Sequence, residues 1–360
     1  SGSNLLGYYM YHGGTNPEGI GYLNENQRTP GTNHNDLPVK TYDFQAPLGE
    51  FGQRYPHYYT LRKLHLFMND YAETLAPMDA SFPAPQDIRK GDDSQLRWAY
   101  RSLGDSGFVF VNNYERLQNL TAKSGVQFDV CGVKFPKRPM TIPAGTACIF
   151  PVNIDGIRYA TAQLLARRDG KIYMEQIPGV PTEICVDGRV LRNVKARGLQ
   201  RPVYGNIYLL DSETAGRLFL DEEPSAPAPQ NVTYRKEKEA GPLREITIGV
   251  QKVAEEPTDA DFDNAAVYAI DIPAERDGRM LNIEYRGDVA RLYADGRLVA
   301  DNFYNGRPFL YGLWRLSEGC RRLEMRVLPL QKNMPVYFPR EAKVDKEGEE
   351  VMSIKAENIW

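Results

Sequence analysis

The feature that most constrains the fold is an apolar and aromatic run near the N-terminus, at residues 5–16, which contains no Asp, Glu, Lys or Arg. The run closes with a glycine pair, Gly13 and Gly14, followed by Thr15 and Asn16. An unbroken run of this kind predicts a strand that is buried on both faces. Such strands belong to parallel sheets and barrels covered by helices, and in a (β/α)8 barrel the chemistry lies where the strands end. The glycines would let a ligand or another strand approach the backbone closely.

Two motifs follow one another at the spacing of a strand and its loop. Residues 9–16 read Tyr-Met-Tyr-His-Gly-Gly-Thr-Asn, and residues 41–52 read Thr-Tyr-Asp-Phe-Gln-Ala-Pro-Leu-Gly-Glu-Phe-Gly. Together they resemble glycoside hydrolase family 35, the β-galactosidases. The resemblance implies that the first motif is the last strand of a (β/α)8 catalytic barrel, that the second lies in the following loop, and that a helix comes next.

The same resemblance implies two substrate-binding residues at the edge of a galactose pocket. Tyr9 aligns with a strand tyrosine that approaches the sugar, and Tyr42 aligns with a loop tyrosine that hydrogen-bonds near the nucleophile. A phenol suits both roles, because its ring packs on a sugar face and its hydroxyl donates to an oxygen. Phe44 and Pro17 depart from the family pattern, which would alter substrate preference. The alternative is that both tyrosines are core-packing aromatics.

No catalytic residue is assigned from the sequence. Retaining glycoside hydrolases use two carboxyl groups about 5–5.5 Å apart, one as acid/base and one as nucleophile. The resemblance implies two glutamates on earlier barrel strands, and no segment of the chain matches the motifs that carry them. Asp43 is interpreted as a carboxylate that orders its loop, and Glu50 as a brace between the loop and the following helix. The chain alone is therefore expected to be inactive.

Patterns beyond the motifs predict a mainly β fold. We expect the last strand and helix of a (β/α)8 barrel, followed by two antiparallel β-sandwich modules of jelly-roll or galactose-binding-like type. Apolar residues spaced by three and four predict a helix over residues 55–75, and short strands bounded by Gly, Pro or Asp predict the β modules. The predicted division is a barrel remnant at 1–78, a β-sandwich at 79–221, a linker at 222–243 and a second β-sandwich at 244–360.

Local signals refine this division at three places. Residues 17–40 are rich in Gly, Asn and Pro and predict a long loop. Residues 211–219 predict a short helix capped by Asp211 or Ser212. Asp295-Gly296 between two apolar runs predicts a type I′ hairpin turn.

Composition excludes several classes of function. The formal net charge of −3 and the absence of a basic stripe argue against a nucleic-acid partner, and no apolar run approaches the roughly 20 residues of a membrane span. The four cysteines and four histidines lack metal-ligand spacing, so no cofactor is predicted. Cys131, Cys148 and Cys185 lie in or beside apolar runs and are expected to be buried free thiols, although the sequence leaves a disulfide open.

Two functions remain open at this point. The first function is that of the C-terminal part of a retaining β-galactosidase-type enzyme acting on terminal β-galactosides. A C-terminal part is expected because a barrel cannot begin at its last strand. Its expected partners are galactose-containing glycans and the missing N-terminal barrel portion, and a homo-oligomer is left open. The second is a non-catalytic carbohydrate-binding or scaffold protein built from the β modules.

Overall fold

The computed structural model describes residues 2–3, 5–16, 40–83, 89–220, 228–249, 252, 254–339 and 342–358. The chain forms two compact units, the first from Ser1–Tyr8 and Pro56–Asp221, the second from Tyr9–Tyr55 and Glu222–Trp360. The segment predicted as a barrel remnant, 1–78, is thus divided between them. The predicted loop over 17–40 lies outside the described residues, apart from Lys40.

The prediction of a buried strand over residues 5–12 is wrong. Leu5 is 87% exposed and Tyr9 93% exposed. Among the residues that the structure describes, the regular pairing at this run is a two-residue strand, β1 (Gly14–Thr15), antiparallel to β2 (Thr41–Tyr42). An apolar run becomes a buried strand only where other strands and helices cover it. Within the described residues, the run itself makes one isolated backbone bridge, from His12 to Leu48.

The first unit contains two helices and twelve of the described strands. They are α1 (Pro56–Leu75), β3 (Asp79–Ser81), β4 (Arg97–Leu103), β5 (Ser106–Asn112), β6 (Lys123–Val130), β7 (Val133–Ile142), β8 (Ala147–Ile154), β9 (Ile157–Ala160), β10 (Gln163–Arg168), β11 (Lys171–Glu175), β12 (Glu183–Val186), β13 (Arg189–Arg192), β14 (Ile207–Leu210) and α2 (Ser212–Arg217). A seven-stranded sheet has the order β13-β12-β9-β8-β5-β4-β3, a three-stranded sheet the order β10-β11-β14, and β6 pairs with β7. All these pairs are antiparallel except β11 with β14.

The predicted helix over 55–75 is confirmed as α1 and belongs to the first unit. Its buried residues, Leu66, Phe67, Tyr71 and Leu75, recur at the spacing of one helix face. Phe67 is fully buried and its ring meets that of Phe108 on β5 edge-on, with 5.3 Å between centroids. The helix therefore contributes a continuous stripe to the core of this unit.

Other local predictions in this unit are also confirmed. The predicted short strands bounded by Gly, Pro or Asp are found, for example, as β8 and β12. The predicted short helix is α2, where the Asp211 side chain accepts a hydrogen bond from the Thr214 N–H at 2.8 Å. This bond satisfies one of the donors that a helix N-terminus leaves open.

The described part of the second unit contains nine further strands. They are β15 (Gln230–Asn231), β16 (Tyr234–Lys238), β17 (Ala266–Asp271), β18 (Arg279–Arg286), β19 (Val289–Ala294), β20 (Arg297–Phe303), β21 (Phe309–Gly312), β22 (Arg322–Val327) and β23 (Glu350–Asn358), with 3-10 helices at Ala260–Asn264 and Leu313–Arg315. Two antiparallel sheets have the orders β15-β23-β18-β21 and β16-β17-β22-β19-β20. Buried residues from both sheets, such as Leu281 and Leu323, join one core.

The hairpin between β19 and β20 confirms the predicted turn. Asp295 has φ of 49° and Gly296 has φ of 78°, as a type I′ turn requires at both central positions. The described part of the predicted linker over 222–243 contains β15 and β16. Its charged residues suit β16 because this strand lies at a sheet edge, where side chains remain in water.

The described part of the chain is mainly β, as predicted. All four cysteines are free thiols. The predicted burial is confirmed at Cys148 and Cys185 and is wrong at Cys131, which is half-buried; Cys320 is also buried. No helix in the described ranges is both long and apolar enough to cross a membrane.

Candidate functional site

Asp43 organises the loop that carries the second motif. One of its carboxylate oxygens accepts hydrogen bonds from the Gln45 N–H at 2.8 Å and the Tyr55 hydroxyl at 3.1 Å. The other accepts from the Glu50 N–H at 2.5 Å and the Gln53 side-chain amide at 3.2 Å. Because four donors converge on one carboxylate, the interpretation of Asp43 as a loop-ordering residue is confirmed.

Glu50 is buried at the junction of the loop and the β sheets of the second unit. Its carboxylate accepts hydrogen bonds from the hydroxyls of Thr15 and Thr41, and it lies 3.4 Å from Nη1 of Arg315. The prediction that Glu50 braces the loop against the following helix is therefore wrong. The contact between Glu50 and Arg315 could not be predicted from the sequence, because the two residues are 265 positions apart in the chain.

The environment of Glu50 raises its pKa to about 7. Removal of the carboxylate from water is the main cause, since burial disfavours the charged form. The hydrogen bonds from Thr15 and Thr41 and the charge of Arg315 act in the opposite direction, and the charge of Asp43 raises the pKa a little further. Desolvation outweighs these partners, so Glu50 titrates near neutral pH.

Gly13 explains why a glycine stands at the end of the first motif. Its N–H donates to the Leu48 carbonyl at 2.7 Å, and a Cβ at this position would lie 2.7 Å from the Glu50 nitrogen. Only a residue without a side chain permits such an approach. The prediction that the glycines allow close approach of backbone is confirmed at Gly13, whereas a Cβ at Gly14 would meet nothing within 4 Å.

A buried carboxylate on β20 holds the start of the loop. Asp301 is 2% exposed and accepts hydrogen bonds from the backbone N–H groups of Lys40 at 2.9 Å and Thr41 at 2.8 Å. Further along, the guanidinium of Arg315 lies 4.6 Å from the centre of the Phe51 ring. The loop is thus attached to the sheets at both of its ends.

The two tyrosines predicted to bind substrate lie in different surroundings. Tyr9 is 93% exposed, so the alternative that it packs in a core does not hold. Tyr42 is half-buried on β2, opposite Gly14, and its ring meets that of Phe44 edge-on at 4.8 Å. Their role in binding a sugar stays a prediction.

A turn at residues 43–46 was not predicted from the sequence. The Ala46 N–H donates to the Asp43 carbonyl at 3.0 Å, and the two central residues, Phe44 and Gln45, have φ of 45° and 53°. Two positive φ values define a type I′ turn, which normally carries Asn or Gly. A bulky aromatic residue in this conformation is rare and strained.

The loop and the β sheets of the second unit enclose a cleft of about 580 Å³. The loop contributes Phe44, Gln45 and Gln53 to its wall, and the sheets contribute residues 301–305 and 307–310 and the segment 336–339. These segments are far apart in the chain, so the cleft could not be predicted from the sequence. Across the described residues, no group of three or more His, Cys, Asp or Glu side chains could hold a metal ion.

Replacing Asp43 by asparagine should loosen the loop. An amide keeps one acceptor oxygen but points an N–H₂ at donors that need an acceptor, so about 1–3 kcal/mol of stability should be lost in the second unit. Hydrogen exchange of residues 40–55 measures this, with Asp345→Asn at an exposed position as the control. Unchanged protection in Asp43→Asn would show that the loop does not depend on this carboxylate.

The N-terminal part of the chain, which contains this loop, is similar to a known protein family. Residues 1–68 match the model described as glycosyl hydrolases family 35. "Beta-galactosidase 3" of Oryza sativa subsp. japonica is 27% identical over 188 residues, which are 52% of this chain and 18% of the rice protein. The chain therefore matches less than a fifth of that relative's length.

A solved structure, a rhamnosidase from Novosphingobium sp. PP1Y, is 16% identical with a TM-score of 0.21, over 81% of this chain and 26% of that one. A similarity this low supports no conclusion. The N-terminal part of the chain, which includes both motifs, resembles the glycosyl hydrolases of family 35.

Proposed function

We propose that this chain is the C-terminal part of a retaining β-galactosidase-type glycoside hydrolase that acts on terminal β-galactosides. The observation that carries the proposal is the family 35 match over residues 1–68, which spans both motifs. The similarity to a rice protein named a β-galactosidase supports it. In this proposal, residues 5–16 supply the last strand of a (β/α)8 barrel in the complete enzyme, and the sheets of the two units are β-sandwich modules of jelly-roll or galactose-binding-like type.

The exposed apolar run supports a barrel that continues beyond this chain. Leu5, Leu6 and Tyr9 are each at least 66% exposed. Contiguous apolar surface of this kind usually marks an interface. In the complete enzyme, the other barrel strands would pair with this run and bury its side chains.

In this proposal, the carboxylates of this chain and those of the missing barrel portion have different roles. Retaining hydrolysis needs one carboxylic acid and one free carboxylate on either side of the glycosidic bond. Asp43 is engaged by four donors, and Glu50 is held by Thr15 and Thr41. Both are therefore structural in this proposal, the catalytic glutamates come from the missing barrel portion, and this chain alone is inactive. Tyr9 and Tyr42 contribute to the edge of the galactose pocket.

Tyr42→Phe in the complete enzyme tests the proposal. Loss of one hydrogen bond to a charged partner costs about 1.5–3 kcal/mol, so kcat/KM on an aryl β-galactoside should fall on the order of ten- to a hundredfold. The melting temperature should stay close to that of the wild type, because the ring remains. Tyr114→Phe, at an exposed position of the first unit, is the matched control.

Two results would contradict the proposal. One is turnover of the aryl β-galactoside by the purified 360-residue chain, since it would place an acid/base pair within these residues. The other is unchanged kinetics in Tyr42→Phe. If the complete protein binds galactosides without hydrolysing them, the alternative of a non-catalytic carbohydrate-binding protein built from the β modules is preferred.

A further inference from the structure

We propose that the cleft of the second unit is a binding site for a neutral oligosaccharide. Its walls are the loop at residues 41–55 on one side and residues 301–310 and 336–339 on the other. Neither Tyr9 nor Tyr42 lines it. Successive residues of a strand point to opposite faces, so Thr41 lines the cleft while Tyr42 does not. Binding of a saccharide in this cleft can be measured on this chain alone and does not depend on the proposed function.

The size of the cleft suits a small ligand. Its volume of about 580 Å³ lies within the roughly 300–1,000 Å³ of typical ligand pockets. Such pockets combine apolar and aromatic walls with a few polar groups that fix orientation. The cleft has this composition, since Phe303, Phe309 and Phe338 lie beside Asn305 and Gln45.

The loop wall of the cleft contains a strained segment of backbone. Phe44 and Gln45 occupy the two left-handed positions of the type I′ turn, where asparagine or glycine would fit without strain. The Asp43 carboxylate holds the turn through the Gln45 N–H. The result is a half-exposed aromatic ring and a primary amide together at the cleft wall. Strained conformations that the surrounding structure holds in place concentrate at ligand-binding sites.

The opposite side offers a second exposed ring and a cation. Tyr337 lines the cleft and is 92% exposed, although tyrosine is usually at least partly covered in a folded protein. Arg307 also lines it, and its guanidinium makes no hydrogen bond or ion pair to any residue that the structure describes. Rings on both walls can stack on the C–H faces of a sugar, while guanidinium and amide groups donate to its hydroxyls.

The charges of the walls favour a neutral rather than an acidic saccharide. Asp43, Asp288 and Asp301 all line the cleft. Asp288 is paired with Arg244 at 3.0 Å, and Asp301 accepts the backbone N–H groups of Lys40 and Thr41. These carboxylates are held by protein partners, and their negative charge would repel a uronic acid.

Calorimetric titration of the full chain tests this proposal. The probes are β-1,4-galactotetraose and cellotetraose as neutral oligosaccharides, with an oligogalacturonate of the same length as the acidic comparison. We expect saturable binding of at least one neutral probe and none of the acidic one. Tyr337→Ala and Arg307→Ala should each weaken binding about tenfold or more, as central aromatic and arginine contacts do. Both positions are exposed, so the melting temperature should not change.

Three outcomes would overturn the site. They are no saturable binding of either neutral probe, tighter binding of the oligogalacturonate, and neutral binding that both variants leave unchanged. Tyr114→Ala, an exposed tyrosine of the first unit, serves as the matched control and should bind like the wild type. Failure of the galactosidase proposal and failure of this one are therefore seen in different variants and different measurements.

Discussion

Phe67→Ala is expected to lower the free energy of unfolding of the first unit by about 3–5 kcal/mol, the range for truncation of a buried phenylalanine. The side chain is fully buried. Its ring stacks on Tyr71 at 5.5 Å and meets Phe108 edge-on at 5.3 Å. Removal of the ring would lose apolar burial and leave a cavity between α1 and the seven-stranded sheet, and both effects destabilise the unit.

Urea denaturation of the full chain measures this loss. Trp98 reports on the first unit, because its ring lies 5.0 Å from that of Phe128 in another hydrophobic cluster of the same unit. Met68→Ala is the matched control on the same helix, since Met68 is 40% exposed and its truncation should cost much less. A loss below about 1 kcal/mol in Phe67→Ala would mean that α1 is not part of this core.

The second large effect is a pH dependence that originates at Glu50. Its pKa rises from 4.5 to about 7 on folding, so the folded state binds the proton more tightly than the unfolded state. The contribution of Glu50 to the stability of the second unit should therefore be greatest below about pH 4.5 and should fall as the pH rises to about 7. The total loss should be on the order of 3 kcal/mol. Only 4% of the Glu50 side chain is exposed, so solvent screening reduces this effect little.

Glu50→Gln isolates this contribution. Glutamine has nearly the shape of the protonated acid and does not titrate, so most of the fall in stability between pH 5 and pH 8 should disappear. Trp314 is the probe of the second unit, because its ring lies 6.2 Å from that of Phe51, the neighbour of Glu50. Glu318→Gln, at an exposed position, is the control. An equal slope in Glu50→Gln and the wild type would assign the pH dependence to another group.

Sequence reasoning succeeded where the physical determinant is local. The spacing of Leu66, Phe67 and Tyr71 predicted α1, and the side chain of Asp211 predicted the start of α2. The turn at Asp295 was predicted because only a few residue types tolerate positive φ at both centres. In each case, residues within one or two turns of chain decide the conformation.

The same reasoning failed where the outcome depends on distant partners. The run at residues 5–12 has the composition of a buried strand, but neighbours decide burial, and Tyr9 is exposed. The role of Glu50 depends on Arg315, and the cleft depends on segments such as 336–339. No periodicity or motif in the chain pairs these positions. The turn at Phe44 was missed for another reason, because its residues are not those that such turns prefer.

The order of synthesis gives the divided second unit a particular folding problem. Lys40 and Asp301 are 261 positions apart, and a ribosome adding about 5–20 residues per second needs roughly 13–50 s to cover that distance. During this interval the residues between Tyr9 and Tyr55 have emerged without the strands that hold them, while the continuous stretch from Pro56 to Asp221 can already fold. The aromatic run at residues 5–16 is thus exposed to chaperones and to other nascent chains until the strand that carries Asp301 has been synthesised.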